Sequence, residues 1–213
     1  MSAPGAASAT AVQMVTSAAQ VVGTAQGQLN ALDSTVGDGD HGVNFASALT
    51  VAATRVQGAG KISAAQVFAV VAETLGSEMG GAAGVIFGAF FAGAGEALAD
   101  VAQLDANVYA LMLASALAEV QHWGKAEVGD KTVVDALAPA AQAAHTSVQA
   151  GDDLATCASR AATAAAEGAA STAALVARKG RARFLGARSI GHADAGATSM
   201  ALVLRSWAEV LKG

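Results

Sequence analysis

An all-α fold, with eight antiparallel helices in an up-and-down barrel or bundle, follows from three features of the sequence. Apolar residues recur at helical spacing over most of the chain. Aromatic residues make up only 4%, too few for a sheet rich in aromatic and β-branched strands. Alanine, the strongest helix former, dominates, and the two prolines, Pro4 and Pro139, leave long stretches uninterrupted. The spacing predicts helices over roughly 8 to 31, 42 to 57, 63 to 78, 81 to 99, 106 to 122, 130 to 149, 152 to 177 and 196 to 212.

Local signals support these segments in turn. Gly58 and Gly124 read as C-terminal stops of the second and fifth helices, Ser63 and Asp130 as N-caps of the third and sixth, and Asp152 and Asp153 as first-turn acids of the seventh. In the fourth, Gly80, Gly84, Gly88 and Ala92 recur every four residues, a stripe that lets a neighbouring backbone approach closely. The uncharged run from Met79 to Gly95 is only marginally long enough to cross a bilayer and is read as a buried core helix.

Composition narrows the function classes. With 213 residues, 54% hydrophobic and 14% charged, the chain suits one domain over residues 1–213 and excludes disorder. A net charge of −5 argues against general nucleic-acid binding, which needs cations to neutralise phosphates. The single cysteine, Cys157, allows no intrachain disulfide or multi-thiolate metal site. No Lys or Arg precedes Arg55, so a secretory or transit signal is not expected, and the expected location is the cytoplasm, with no membrane partner.

The unusual loops alternate with plain ones. Residues 32–42, 79–84, 124–132 and 178–196 are rich in glycine or charge, whereas the intervening connections near residues 58–62, 100–106 and 150–152 are plain. In an up-and-down bundle alternate loops emerge at the same end, so the four unusual ones should converge on one rim. There, Asp33, Asp38 and Asp40 suit a glycine-hinged loop folding three carboxylates around Mg²⁺, Mn²⁺ or Ca²⁺. A calcium loop of the EF-hand type would need Glu at its twelfth position, and counting from Asp33 or Asp38 that position holds Asn44 or Leu49. The glycines at residues 80–84 open a helix whose N–H groups suit an anion, and Arg178, Lys179, Arg181, Arg183 and Arg188 supply phosphate-matching cations. No P-loop motif is present, and Ser189, His192 and Asp194 lie too close in sequence to suggest a hydrolytic triad. His122 and His145 read as helix-surface or core residues.

These four blocks, in this order, resemble the signature blocks of the nucleotide-binding L subunit family of dihydroxyacetone kinases. The resemblance spans nearly the whole chain. It implies an eight-helix antiparallel barrel holding ADP or ATP across one end through two Mg²⁺ ions. By resemblance, Asp33, Asp38 and Asp40 would ligate the ions, and His41, Gly42, Val43 and Asn44 would face the nucleotide and its phosphates. Ala82 and Ala83 would lie against phosphate or ribose and Gly124 and Val133 beside the base. Arg181 and the turn of Asp194, Ala195 and Gly196 would complete the pocket, with Arg181 the candidate phosphate stabiliser. The chain departs from the family pattern at Ala83, which lacks a usual hydroxyl, and at Val85, Val128 and Ala195, where prolines are common.

The activity implied is phosphoryl transfer from the Mg²⁺-nucleotide to dihydroxyacetone or a related short ketose carried covalently on a histidine of a separate K subunit. The chain alone should then be inactive. Exchangeable ATP and tightly held ADP recharged by a phosphotransfer-system protein both remain open as donors, the lone-subunit length favouring ADP. The alternatives are a nucleotide-binding regulatory module engaging a transcriptional regulator, the nucleotide domain of a fatty-acid kinase, and a metal-stabilised helical interaction protein. Assembly state, a homodimer included, is left open.

Overall fold

The computed structural model describes residues 5–35 and 37–212. Eight α-helices run in chain order: α1 (Ala6–Ser34), α2 (His41–Gly58), α3 (Ala64–Glu78), α4 (Gly81–Glu96), α5 (Ala106–Gly124), α6 (Val134–Gln149), α7 (Leu154–Ser171) and α8 (Ala195–Leu211). Short 3-10 segments at Thr172–Ala174 and Arg181–Ser189 lie between α7 and α8, and no strand occurs among the described residues. Each helix packs on the next, and α8 closes onto α1, so the helices form a ring.

The ring is filled rather than hollow. Trp207 of α8 sits 5.3 Å from Phe90, 5.5 Å from Phe68 and 5.9 Å from Phe91, ring centre to ring centre, and all four are buried. Elsewhere the core is largely alanine and valine, whose small volume lets the helices approach. A Cβ added at Gly84 would lie 2.9 Å from the Leu75 carbonyl oxygen, and one at Gly88 3.1 Å from that of Ala72, so these two glycines set the α3–α4 contact. The expected stripe is corrected at its ends. A Cβ added at Gly80 would meet nothing within 4 Å, and this residue takes a positive φ of 64°, while Ala92 is exposed; Gly95, against Phe68, continues the contact instead. The apolar α4 is buried as expected, and among the described residues no helix is long and apolar enough to cross a membrane.

At the start of α3, Ser63 is the expected N-cap and forms a full capping box with Gln66. Neither acid expected in the first turn of α7 lies there: Asp153 is the N-cap, accepting the Thr156 N–H, and Asp152 binds the Ser147 hydroxyl and Arg160. Three further expectations need correction. α6 starts at Val134, not Asp130, because Asp135 in its first turn accepts N–H bonds from Gly129 and Thr132 and so organises the preceding loop itself. The left-handed residue ending α5 is Lys125, with φ 48°, one position beyond Gly124. α7 stops at Ser171 rather than near residue 177, giving way to the 3-10 turn.

The packing makes a contrast between glycines testable. A methyl group at Gly93 would lie 2.7 Å from the Ser115 carbonyl oxygen and 2.9 Å from the Ala116 Cα, both backbone atoms of α5 that cannot rotate away, whereas Gly23 on α1 has open space. Gly93→Ala should destabilise the fold by about 1–3 kcal/mol through overpacking. Gly23→Ala should stabilise it by about 0.5–1 kcal/mol. Urea denaturation of both variants checks the pair.

Candidate metal and anion site at one end of the barrel

Hydrogen bonds and ring contacts show which loops share an end. Arg181, between α7 and α8, forms an ion pair with Asp38, between α1 and α2. His41, first residue of α2, bonds Ser199 of α8 at 2.8 Å and lies 5.9 Å from the Phe87 ring of α4. Gly124 at the end of α5 approaches Ile86 of α4, and Lys131 in the following loop donates to the carbonyls of Thr172 and His192. The plain connections meet at the opposite end, where the Ser8 hydroxyl donates to Ile62 and the Ala7 N–H to Ala102. The four unusual loops therefore gather on one rim, as their alternation predicts. Val36, within the first of them, lies outside the described residues.

Helix direction adds a consequence that loop composition does not reveal. Because alternate helices run the same way, α2, α4, α6 and α8 all begin at this rim, at His41, Gly81, Val134 and Ala195. Each start has N–H groups with no acceptor inside the helix and a partial positive charge of roughly half an elementary unit, so their convergence favours anions, whether the chain's own carboxylates or others.

The aspartate loop is held by its own first carboxylate. Asp33 belongs to the last turn of α1 rather than to the loop, and its Oδ2 accepts N–H bonds from Gly39 (2.8 Å), Asp40 (3.1 Å) and His41 (3.3 Å). These bonds fold the chain back so that Asp33, Asp38 and Asp40 each bring a carboxylate oxygen within 4.8 Å of the others. Asp40 precedes α2 in the cap position yet makes no capping bond, which leaves its carboxylate for the cluster. Capping falls to Asn30, whose Oδ1 accepts the Val43 N–H at 3.1 Å. Glycines keep the loop open: a Cβ at Gly37 would collide with Asp33 Oδ1, and Gly39 takes φ 79°. At Gly42 a Cβ would collide with the Gln26 carbonyl, so only glycine lets α2 start this close to α1.

Three carboxylates this close repel one another unless a cation compensates. Arg181 supplies one charge, to Asp38. All-oxygen donors, with Gly37 placing no Cβ against Asp33 Oδ1, fit a hard divalent cation such as Mg²⁺. His41 stacks on Phe45, and burial pulls its imidazole below its ordinary pKa against the opposing pull of Asp33 and Asp40.

The remaining predicted residues fall on the same rim with unequal exposure. Ala82 and Ala83 occupy the first turn of α4 after two left-handed glycines, Gly80 and Gly81, with no side chain capping that turn. Val43 is exposed, whereas Val133 is buried, so Val133 reaches the rim chiefly through its backbone at the start of α6. Asn44 is half-buried on α2. Asp194 caps α8 through the Ala197 N–H at 2.8 Å, Ala195 is buried, and Gly196 lies within the cap. His122 and His145 are exposed on α5 and α6, as the helix-surface reading expects. A groove of about 480 Å³ between α5 and α6, lined by Leu111, Leu117 and His145 among others, runs along the barrel wall and contains none of the rim residues.

Sequence reading missed Asn30, Lys131, Asp135, Thr172 and Ser199. Asp135 follows the Asp130-Lys131-Thr132 run, a signal for a self-organised loop. Asn30 stands three residues before Asp33 on the same helical face, and this spacing was the available clue. Lys131 is the more unusual case, since its charge is buried and its φ is 61°.

The comparisons with known proteins point the same way. The DAK2 domain model matches residues 35–209. The ADP-binding subunit DhaL of the PTS-dependent dihydroxyacetone kinase of Lactococcus lactis is 35% identical over 86% of this chain and 87% of its own length. The corresponding DhaL of the PEP-dependent kinase of Escherichia coli is 32% identical over 94% of this chain and 96% of its own. L-Erythrulose kinase of Pectobacterium atrosepticum is 35% identical, and there the chain spans only 32% of the relative. The crystal structure of the dihydroxyacetone kinase from C. freundii in complex with AMP-PNP and Mg²⁺ superposes with a TM-score of 0.70 at 29% identity, covering 98% of this chain and 35% of that one.

One titration follows from the geometry. Burial pushes the Asp194 carboxyl up to about 6, above its ordinary value of 3.8, with the Ala197 N–H, Lys131 and the Gly196 N–H pulling down and Asp135 pushing up. The folded state therefore holds this proton more tightly than the unfolded state. The resulting stabilisation is complete below the unfolded value and is lost as pH rises from about 4 to about 6. Asp194→Asn should lack this fall, so the melting temperature of the wild type, taken relative to that variant, should decline across this window; a flat difference would contradict the burial of an ionisable cap. By sequence and by fold, the chain belongs to the DAK2 domain family, whose members include kinases and kinase subunits.

Proposed function

We propose that this chain is the nucleotide-binding subunit of a two-component ketose kinase, holding ADP or ATP with Mg²⁺ across the rim and positioning a phosphoryl group for a short ketose, dihydroxyacetone first, carried on a separate K-type subunit. The observation that carries this reading is the carboxylate cluster set among four helix N-termini. A divalent cation needs the former and a polyphosphate the latter, and neither alone would specify a metal-nucleotide complex. The relatives of similar length are named as ADP-binding subunits, which supports a partner subunit and a tightly held ADP recharged by a phosphotransfer-system donor.

In this reading Asp33, Asp38 and Asp40 would hold two Mg²⁺ ions, which would supply charge neutralisation to the transferring phosphoryl group. The protein's own residues orient the tail. The uncapped first turn of α4, at Ala82 and Ala83, offers N–H groups to phosphate oxygens. His41, fixed by Ser199 and packed against Phe45 and Phe87, gives the rim a rigid wall beside the ions. Arg181 is already at the rim on Asp38, and a guanidinium there can exchange a carboxylate for a phosphate oxygen without leaving the site. Gly124 and Val133 flank the position left for the base, and the Asp194–Gly196 turn closes the far side.

Calorimetric titration with ADP tests the reading. Binding should require Mg²⁺ and should be lost in Asp38→Ala, whose thermal stability should change little because Asp38 is exposed. ADP binding of equal strength in excess chelator, or in the variant, would overturn the metal role. A second variant addresses the missing hydroxyl. Ala83→Ser should tighten ADP binding by about tenfold, the worth of one hydrogen bond to a charged group, and unchanged affinity would show that position 83 does not face phosphate.

A further inference from the structure

We propose that Lys131 is a positioning residue for nucleotide binding, its buried ammonium fixing the Asp194–Gly196 turn from the α5–α6 loop. The inference rests on the proposed nucleotide site and assigns to it a residue that need not touch the ligand. Lysine is seldom buried, yet Lys131 is only 2% exposed. Its backbone takes φ 61°, a conformation unfavourable for a long side chain, which persists only where its surroundings over-determine it.

Those surroundings are specific. On one side, Asp135 accepts the Gly129 and Thr132 N–H groups at 2.6 and 2.7 Å and so clamps both flanks of Lys131. On the other, Nζ donates to the Thr172 and His192 carbonyls, each at 2.6 Å. Thr172 in turn accepts the Asp194 N–H on its Oγ1 at 2.8 Å. The ammonium and the threonine hydroxyl therefore hold the chain at residues 192 and 194, just ahead of the first turn of α8. Arg178 N–H to the Asp130 carbonyl, at 3.1 Å, ties the same two loops a second time.

A buried cation is expensive even with two carbonyls accepting from it and the Asp194 and Asp135 carboxylates nearby, and a hydrophobic side chain would fill the space at lower cost. What the ammonium provides instead is a fixed link between two rim loops that the site needs in register. It also stabilises the ionised form of Asp194. The groups facing that carboxylate are the Ala197 and Gly196 N–H of α8, Lys131 of the α5–α6 loop and Asp135 of α6. Removing Lys131 takes away an attraction and leaves Asp135, a repulsion.

The test compares wild type, Lys131→Met and Lys131→Arg by calorimetric titration with Mg²⁺-ADP and by thermal melting from pH 4 to pH 8. Lys131→Met, close in length and without charge, should weaken ADP binding by about tenfold, as expected for losing one charge-assisted tether. Lys131→Arg should recover part of it, and the fall in stability assigned to Asp194 should move to higher pH in the methionine variant. The last shift is one that a space-filling role would not produce. If wild type binds Mg²⁺-ADP and Lys131→Met binds it equally well, the inference fails while the proposed site stands; if wild type does not bind it, the proposed site fails first. Should Lys131→Met not fold, NMR on the wild type decides. The Lys131 Nζ resonance should shift on ADP addition together with the Asp194 amide, and a Lys131 signal unmoved at saturating ADP overturns the proposal.

Discussion

The direction of alternate helices is the constraint on which the site depends. In a closed up-and-down ring, four helices must begin at one end, and their exposed N–H groups make that end attractive to negative charge before any side chain is considered. Here the chain spends part of that potential on its own carboxylates. Asp33 accepts the His41 N–H at the start of α2 together with the Gly39 and Asp40 N–H groups of the loop before it, Asp135 organises the approach to α6, and Asp194 caps α8. The start of α4 has no such side chain. Its first turn is open to an outside anion, and the two left-handed glycines, Gly80 and Gly81, allow close approach.

The same economy explains the aspartate loop. A carboxylate that only capped α2 would sit at Asp40, yet Asp40 makes no capping bond and Asn30 takes that role. Asp33 bends the loop, Gly37 and Gly39 permit the bend, and Asp38 and Asp40 each bring a carboxylate oxygen within 4.8 Å of one on Asp33. The repulsion among them is offset in part by Arg181, from a segment more than a hundred residues away, which couples the acidic loop to the basic one. An added divalent ion would complete what Arg181 begins.

The fold was legible in the sequence because helical periodicity and alanine content agree over nearly every segment, and the alternation of loops carried the rim as well. The aspartates and the basic run were legible because each is unusual in composition. The boundaries around α6 were not, since the capping acid Asp135 lies inside the helix and only its two backbone partners, Gly129 and Thr132, reveal its role. Lys131 was hidden for a related reason: in a sequence it stands among glycine and acidic residues as any solvated loop lysine would, and its burial is produced by Thr172 and His192, which are distant in the chain. Ser199 and Thr172 likewise matter through partners that no local pattern predicts. The expected stripe on α4 failed at Gly80 and Ala92 because the contact with α3 runs through Gly84 and Gly88 to Gly95 rather than at a strict spacing of four, and Gly80 serves the loop instead.

The central claim, that one rim grips a metal-bound diphosphate, is tested most directly by NMR with Mn²⁺ in place of Mg²⁺. With ADP present, paramagnetic broadening should reach amides of residues 37–44, 81–83, 124–133 and 194–196 together and spare the connections near residues 59–63, 97–105 and 150–153 at the other pole. Broadening confined to the aspartate loop, or spread equally over both poles, would contradict it.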